Sequence, residues 1–395
     1  MDRNRETLRL LYFYPVKPFR SAEWIDVRNL LAINGTNTTI GENPLDDPNV
    51  MHRNPYDPPW LNDCQRLCNN DSSLKKLVYR YQYLGDVGAA AVGAALSVNT
   101  KLKKLILKNN GIGDDGMEAL VQGLRENTSI EELQMTRIRL SNALGKVLEV
   151  NKTIKTLYVS YSRIGKAEVA SIAKGLKSNN SLESLNLYEN QIGDDAVADL
   201  MEAIKTCKTL KRLFLGANRI SNEGATKISA TLMSCSSLKY IDLSNNQIGD
   251  EGAIAFAKVL ATDNSLESLI LLMNKIGDQG AGALASALEE NVSLERINLA
   301  GNNLTLDGIE KLRNVLWRQN KTLKFLMVDN KNDALFREIA FYTALNRVGR
   351  RFSDIEDVSL PHQLWPSFLA KASKNANILF WVVREKPDLF QEIQH

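Results

Sequence analysis

A pattern of apolar residues, asparagine and glycine returns every 28 residues through the middle of this chain. A fixed period of that length implies one small supersecondary unit stacked on copies of itself, because a single unit cannot bury its apolar face alone. The plainest copies are Leu182-Glu183-Ser184-Leu185-Asn186-Leu187-Tyr188-Glu189-Asn190-Gln191-Ile192-Gly193-Asp194 and Leu238-Lys239-Tyr240-Ile241-Asp242-Leu243-Ser244-Asn245-Asn246-Gln247-Ile248-Gly249-Asp250. The first apolar residue of each unit serves as a marker: Leu74, Leu102, Ile130, Ile154, Leu182, Leu210, Leu238, Leu266, Leu294 and Leu323. The spacing is 28 throughout except for 24 between Ile130 and Ile154 and 29 between Leu294 and Leu323.

Within a unit the third and fifth positions after the marker are apolar and alternate with variable residues, as at Leu105 and Leu107 or Leu213 and Leu215. Period-two alternation predicts a strand with one buried face. Eight positions after the marker stand Asn110, Asn190, Asn218, Asn246, Asn274 and Asn302. An amide both donates and accepts, so these asparagines are expected to satisfy backbone left unpaired where each strand turns, as a buried ladder. The Gly-Asp-x-Gly segments, such as Gly113 to Gly116 and Gly249 to Gly252, look like a metal loop or phosphate cradle when read once. Read across the units they predict a helix start, with glycine for the turn and aspartate accepting from the free amides of the first helical turn. Apolar residues then follow at helical spacing, as at Met117, Leu120, Val121 and Leu124. Strands of one direction joined by helices imply a parallel sheet with the helices packed behind it.

These units resemble the ribonuclease-inhibitor-like class of leucine-rich repeats over about residues 73 to 331. The resemblance implies an α/β solenoid, a horseshoe with its parallel sheet on the concave face and its helices on the convex face. That class includes ribonuclease inhibitors, GTPase-activating proteins of the Ran type and the sensor halves of immune receptors. What they share is a scaffold for protein recognition rather than one reaction.

The expected organisation is an irregular N-terminal segment over 1–59, a cap over 60–72, ten repeats over 73–331 and a helical C-terminal cap over 332–395. Trp60 to Cys68 is expected to be the helix that covers the first strand, since a terminal unit otherwise exposes an apolar side. A short helix is expected near Ser21 to Leu31, and helical segments at Ala334 to Arg347 and within Leu360 to Phe390. The basic run Asn346 to Arg351 between them is expected to be a solvated loop.

With 49 Lys+Arg against 46 Asp+Glu, the chain gives no whole-protein case for nucleic-acid binding. No apolar run approaches the roughly 18 residues of a membrane helix, and the start lacks the pattern of a secretory signal. A cytoplasmic or nuclear place is expected, and the four cysteines are expected to be small buried residues. Sequons at Asn34, Asn127 and Asn291 are then turn chemistry. The only histidines are His52, His362 and His395, all outside the repeats, and no Walker, kinase or Gly-x-Ser-x-Gly motif occurs. No enzymatic activity and no cofactor or metal is therefore expected.

Functional residues are expected at the second, fourth, sixth and seventh positions after each marker, which face away from the core. Aromatic residues and arginine gather there, the types enriched at interface hot spots. The predicted protein-binding set is Arg80, Lys108, Arg137, Tyr158, Tyr161, Tyr188, Arg212, Phe214 and Tyr240. Lys76, Tyr81 and Lys104 are expected to make the N-terminal end basic, and Ile270, Leu272 and Met273 to make a later part apolar. In the shortened third unit Ile138 replaces the ladder asparagine, which places Arg137 and Arg139 in an altered loop. The expected role is a monomeric interaction scaffold with a protein partner and no part for nucleic acid or membrane. The alternatives are a GTPase activator, for which Arg137 or Arg139 would serve the transition state, and a stand-alone relative of immune-receptor sensors.

Overall fold

The computed structural model describes residues 58–139, 142–262 and 265–347. The helix expected near Ser21 to Leu31, and the helical segments expected within Leu360 to Phe390, lie outside the described residues. Two compact units are divided in sequence between Glu132 and Leu133, within the third repeat.

The first unit contains helix α1 (Pro59–Cys68), strand β1 (Lys76–Arg80), helix α2 (Gly85–Val98), strand β2 (Lys104–Lys108) and helix α3 (Asp114–Glu126). Helix α1 begins with proline, whose missing N–H is one the first helical turn leaves unbonded anyway. Strands β1 and β2 pair in parallel, with Leu77 opposite Leu105 and Tyr79 opposite Leu107. Tyr79 takes a position that is apolar in the other units, is buried, and donates its hydroxyl to Asp63 of α1 at 3.0 Å. The expected cap helix is thus joined to the first strand by a hydrogen bond as well as by the burial of Cys64 and Leu67.

Strand β3 (Glu132–Thr136) begins at the boundary. The second unit continues with α4 (Ala143–Val150), β4 (Thr156–Tyr158), α5 (Lys166–Ser178), β5 (Ser184–Asn186), α6 (Gly193–Thr206), β6 (Arg212–Phe214), α7 (Asn222–Leu232), β7 (Tyr240–Asp242), α8 (Asp250–Leu260), β8 (Ser268–Ile270), α9 (Asp278–Glu290), β9 (Arg296–Asn298), α10 (Leu306–Arg318), β10 (Phe325–Met327) and α11 (Asp333–Arg347). Strands β4 to β10 pair in parallel and in chain order, and each helix packs on the next. The shortened repeat has lost its residues from the helix: α4 has 8 residues where α5 has 13.

The asparagine ladder forms as expected. Asn246 donates to the carbonyls of Leu215, Leu243 and Ser244 and accepts from the amides of Asn218 and Ile220. Asn218, Asn274 and Asn302 repeat the arrangement, each with its amide on the carbonyls of its own and the preceding repeat.

The aspartates of the Gly-Asp-x-Gly segments do not cap their own helices, which corrects the sequence expectation. Asp250 and Asp278, like Asp194, are already inside their helices, and their carboxylates reach the start of the next one. Asp250 accepts from the amides of Gly277 and Gly280 at 2.7 and 2.8 Å. Asp194 does the same for Ser221 and Gly224, and Asp278 for Thr305 and Gly308. Asn222 takes the role for Gly249 and Gly252. The second glycine of the segment is needed because this carboxylate stands where a Cβ would be: at Gly280 the nearest atom would be Asp250 Oδ1, 2.7 Å away. The first glycine at 249 and 277 has an extended φ that any residue adopts. Ser221 and Thr305 occupy the same place in their units and add side-chain caps.

A second asparagine ladder runs along the helix C-termini. Asn99, Asn127, Asn151, Asn179, Asn291 and Asn320 are all buried and stand three residues before a marker. In each the side-chain oxygen accepts from the amide of the marker residue. Asn179 also donates to the carbonyls of Leu148 and Asn151, one repeat back. The sequon-like spacing at Asn127 and Asn291 has the same origin: Ser129 and Ser293 bond the preceding repeat's carbonyls.

Cys207 and Cys235 replace asparagine in this ladder, and both are buried free thiols. Their sulfurs reach carbonyls at only 4.0 and 3.9 Å. Cys207→Asn should therefore raise stability by about 1 kcal/mol, the net worth of restoring hydrogen bonds to buried backbone. Urea denaturation checks this, and an unchanged midpoint would count against the ladder's contribution there.

Candidate functional site

The side chains on the sheet face opposite the helices owe their directions to a backbone feature that no residue type announces. The seventh position after the marker has a left-handed φ in unit after unit: Tyr81, Asn109, Arg137, Tyr161, Glu189, Ala217, Asn245, Met273 and Gly301 lie between 50° and 68°. Only one of these is glycine, and the left-handed region costs other residues about 1–2 kcal/mol. Interstrand hydrogen bonds offset that cost. Glu189, Ala217, Asn245 and Met273 donate their amides to carbonyls of the next unit at 2.7–2.8 Å. Arg137, φ +57°, follows the same path at this position, while residues 140–141 of the shortened segment lie outside the described residues.

In the first unit, Arg80 and Lys108 are register partners at the ends of β1 and β2. The Lys108 ammonium lies 5.6 Å from the centroid of the Tyr81 ring, which is half exposed. Lys104 is ion-paired to Glu132 at 2.6 Å, so the basic end expected from the sequence is partly neutralised.

In the second unit, the Arg137 guanidinium lies 5.3 Å from the Tyr161 ring, and Tyr161 is 6.2 Å from Tyr188. A hydrogen bond to Glu189, with lesser help from desolvation, raises the pKa of the Tyr161 hydroxyl. Phe214 and Tyr240 form a second ring pair with centroids 4.9 Å apart. Burial, then the charge of Asp242, raises the pKa of Tyr240, while the Arg296 charge acts against both. Tyr158 is half-buried on β4 and Arg212 is exposed on β6. Of the predicted residues, the structure joins Arg137, Tyr161 and Tyr188 in one cluster and Phe214 and Tyr240 in another.

Gly216 was not legible as a site residue. A Cβ there would stand 2.7 Å from the Tyr188 ring, so the glycine is what leaves room for that ring beside the neighbouring strand. Arg296, Phe325 and Arg347 were missed as well. Arg296 and Arg347 both stack on the ring of Phe325, at 4.6 and 5.2 Å. Asn346 is buried and bonds the carbonyls of Asn320 and Leu323, so the basic run begins inside a docked helix and not in a solvated loop. Cys64 and Cys68 both lie on α1; burial raises the pKa of both thiols. No group of three His, Cys, Asp or Glu able to hold a metal occurs among the described residues. No described helix is long and apolar enough to cross a membrane.

Residues 98–121, 178–201, 206–229, 234–257, 262–285 and 290–312 match the family model described as Leucine Rich repeat. Six of the repeats are leucine-rich repeats. No curated protein matches the chain. Among solved structures, the chain is similar to actin-binding site 2 of leiomodin-1, with 15% identity over 47% of this chain and 91% of that one and a TM-score of 0.33. It is similar to a chain of the mouse RP105/MD-1 complex, with 17% identity, coverage of 68% and 45%, and a TM-score of 0.44. It is also similar to the tropomodulin C-terminal domain of Caenorhabditis elegans, with 11% identity, coverage of 51% and 90%, and a TM-score of 0.29. The repeats outside the matched segments are those beginning at Leu74, Ile130, Ile154 and Leu323. Two of these, at Ile130 and Ile154, flank the shortened helix α4.

Proposed function

We propose that this leucine-rich-repeat protein is a non-enzymatic scaffold that binds a partner protein on the sheet face opposite its helices. One observation carries the reading: Tyr158, Phe214 and Tyr240 on the strands, and Tyr161 and Tyr188 just beyond the strand ends, are left partly exposed while the core is filled without them. Tyr161, Tyr188, Phe214 and Tyr240 are partly exposed yet already paired with each other or with arginine, so a partner would lose little entropy in fixing them. A period of 28 with a full helix in each regular repeat supports the ribonuclease-inhibitor-like class within the family. A monomer in the cytoplasm or nucleus fits this reading.

The test is affinity capture from native lysate with the wild-type protein and with a variant carrying Tyr158→Ala, Tyr161→Ala, Tyr188→Ala and Phe214→Ala, after circular dichroism shows equal folding. A partner is expected that the variant loses. Equal recovery by both proteins would reject this face as the binding surface.

A further inference from the structure

The arginine pair on Phe325 is an arrangement that the tyrosine cluster does not explain. Arg296 and Phe325 are register partners on β9 and β10, and Arg347 reaches the same ring from the end of α11. Arg347 is held there by a bond from Nη1 to the Lys324 carbonyl and by the docking of its neighbour Asn346. The two guanidinium carbons are therefore within about 10 Å of each other, roughly one screening length at physiological salt. Among the described residues neither is ion-paired to a carboxylate, whereas Arg313 and Lys324, on the adjoining segments, each are. Two unneutralised like charges on one exposed ring repel each other, and a bound anion removes that penalty. A guanidinium lying over a ring leaves edge donors for a carboxylate fork, and Arg347 spends one of its own, on Nη1, on the Lys324 carbonyl.

An independent observation lies one strand away. Ser268 on β8 stands in register between Tyr240 and Arg296. It is buried, and its hydroxyl has no hydrogen-bond partner. Buried hydroxyls are ordinarily bonded, and this one is at a position that faces away from the helices.

We propose that Ser268, Arg296, Phe325 and Arg347 form a cradle for an acidic segment of a partner protein, with carboxylates forked by the two arginines and one polar group meeting the Ser268 hydroxyl. The proposal rests on the reading that this face binds protein, and it supplies the chemistry of the partner. Asp242 on the same face would repel a continuous polyanion, which favours spaced carboxylates over a nucleic-acid backbone.

The probe is a fluorescein-labelled ten-residue peptide of alternating glutamate and leucine, with a lysine and leucine peptide as control, read by anisotropy on the full chain. Wild type should bind the acidic peptide in a salt-sensitive way and leave the basic one unbound. Arg296→Gln, an exposed change confirmed as folded by thermal melting, should weaken binding about tenfold. Ser268→Ala should weaken it by a smaller factor. Absence of binding by wild type, equal binding by Arg296→Gln, or tighter binding of a single-stranded oligonucleotide would each overturn the proposal. The two readings fail separately. If Arg296→Gln still captures the partner that the tyrosine variant loses, the scaffold stands and the acidic cradle falls; if the tyrosine variant keeps its partner while Arg296→Gln loses the peptide, the reverse holds.

Discussion

Asn246→Leu is expected to lower stability by about 3–5 kcal/mol, because it strands several buried backbone groups at once, each worth about 1–3 kcal/mol when left unsatisfied. The asparagine makes five hydrogen bonds, three through its amide nitrogen and two through its oxygen. They join its own turn to that of the preceding repeat, so the loss falls on two units. Leucine matches the side chain in size, which separates the loss of bonding from the opening of a cavity. The neighbouring Asn245 is exposed and in the left-handed region, and Asn245→Ala should cost only about 1 kcal/mol. Urea denaturation of the two variants makes the comparison. A cost for Asn246→Leu no larger than that for Asn245→Ala would show that the ladder is dispensable.

The second large effect is expected in the first unit. Helices α2 and α3 approach so closely that a Cβ on Gly123 would overlap the carbonyl oxygen of Gly93, and one on Gly93 would stand 2.5 Å from the Ala119 carbonyl oxygen. Neither obstacle is a side chain that can turn away. Gly123→Ala must therefore separate two helix backbones, and the expected loss is about 3 kcal/mol, the upper part of the usual range for overpacking. The same substitution at Gly282, in the interior of α9, meets nothing nearer than Lys311 Cδ at 3.4 Å. There alanine should gain about 0.5–1 kcal/mol through helix propensity. Opposite signs for one chemical change would tie the effect to the helix contact, and a loss at both positions would remove that explanation.

The repeat, its strands, the first asparagine ladder and helix α1 were legible because each follows from residue type and spacing within one unit. What escaped depends on relations between units. Asp250 was read as a cap for its own helix because the nearest free amides in sequence are there. Its actual partners are 27 and 30 residues on, where the stacking of repeats brings them. The helix-end ladder was half visible as sequons, yet nothing at Asn127 alone tells that its amide bonds the carbonyls of Leu96 and Asn99. The left-handed turn at Arg137, Ala217 and Met273 carries no glycine signal, since hydrogen bonds between strands impose it on whichever residue is present. The predicted surface residues were placed well as to face but not as to partner. Tyr161 gains a neighbour in Arg137 from the preceding unit, and Phe325 draws Arg347 from a helix end that reads as part of a basic run.

That successive helix starts are completed by a side chain of the repeat before, the carboxylates of Asp194, Asp250 and Asp278 and the amide of Asn222, has a consequence for how such a chain can change in length. Asp250 serves Gly277 as Asp278 serves Thr305, so the donor and acceptor sides of a repeat are interchangeable parts. A tandem duplication of residues 250–277 inserts one complete turn of the pattern and recreates both junctions, whereas adding or removing a fraction of a repeat leaves one carboxylate facing the wrong backbone. Growth or loss by whole modules is thus the low-cost route open to this chain, and the surface it offers to a partner can be lengthened without rebuilding any joint.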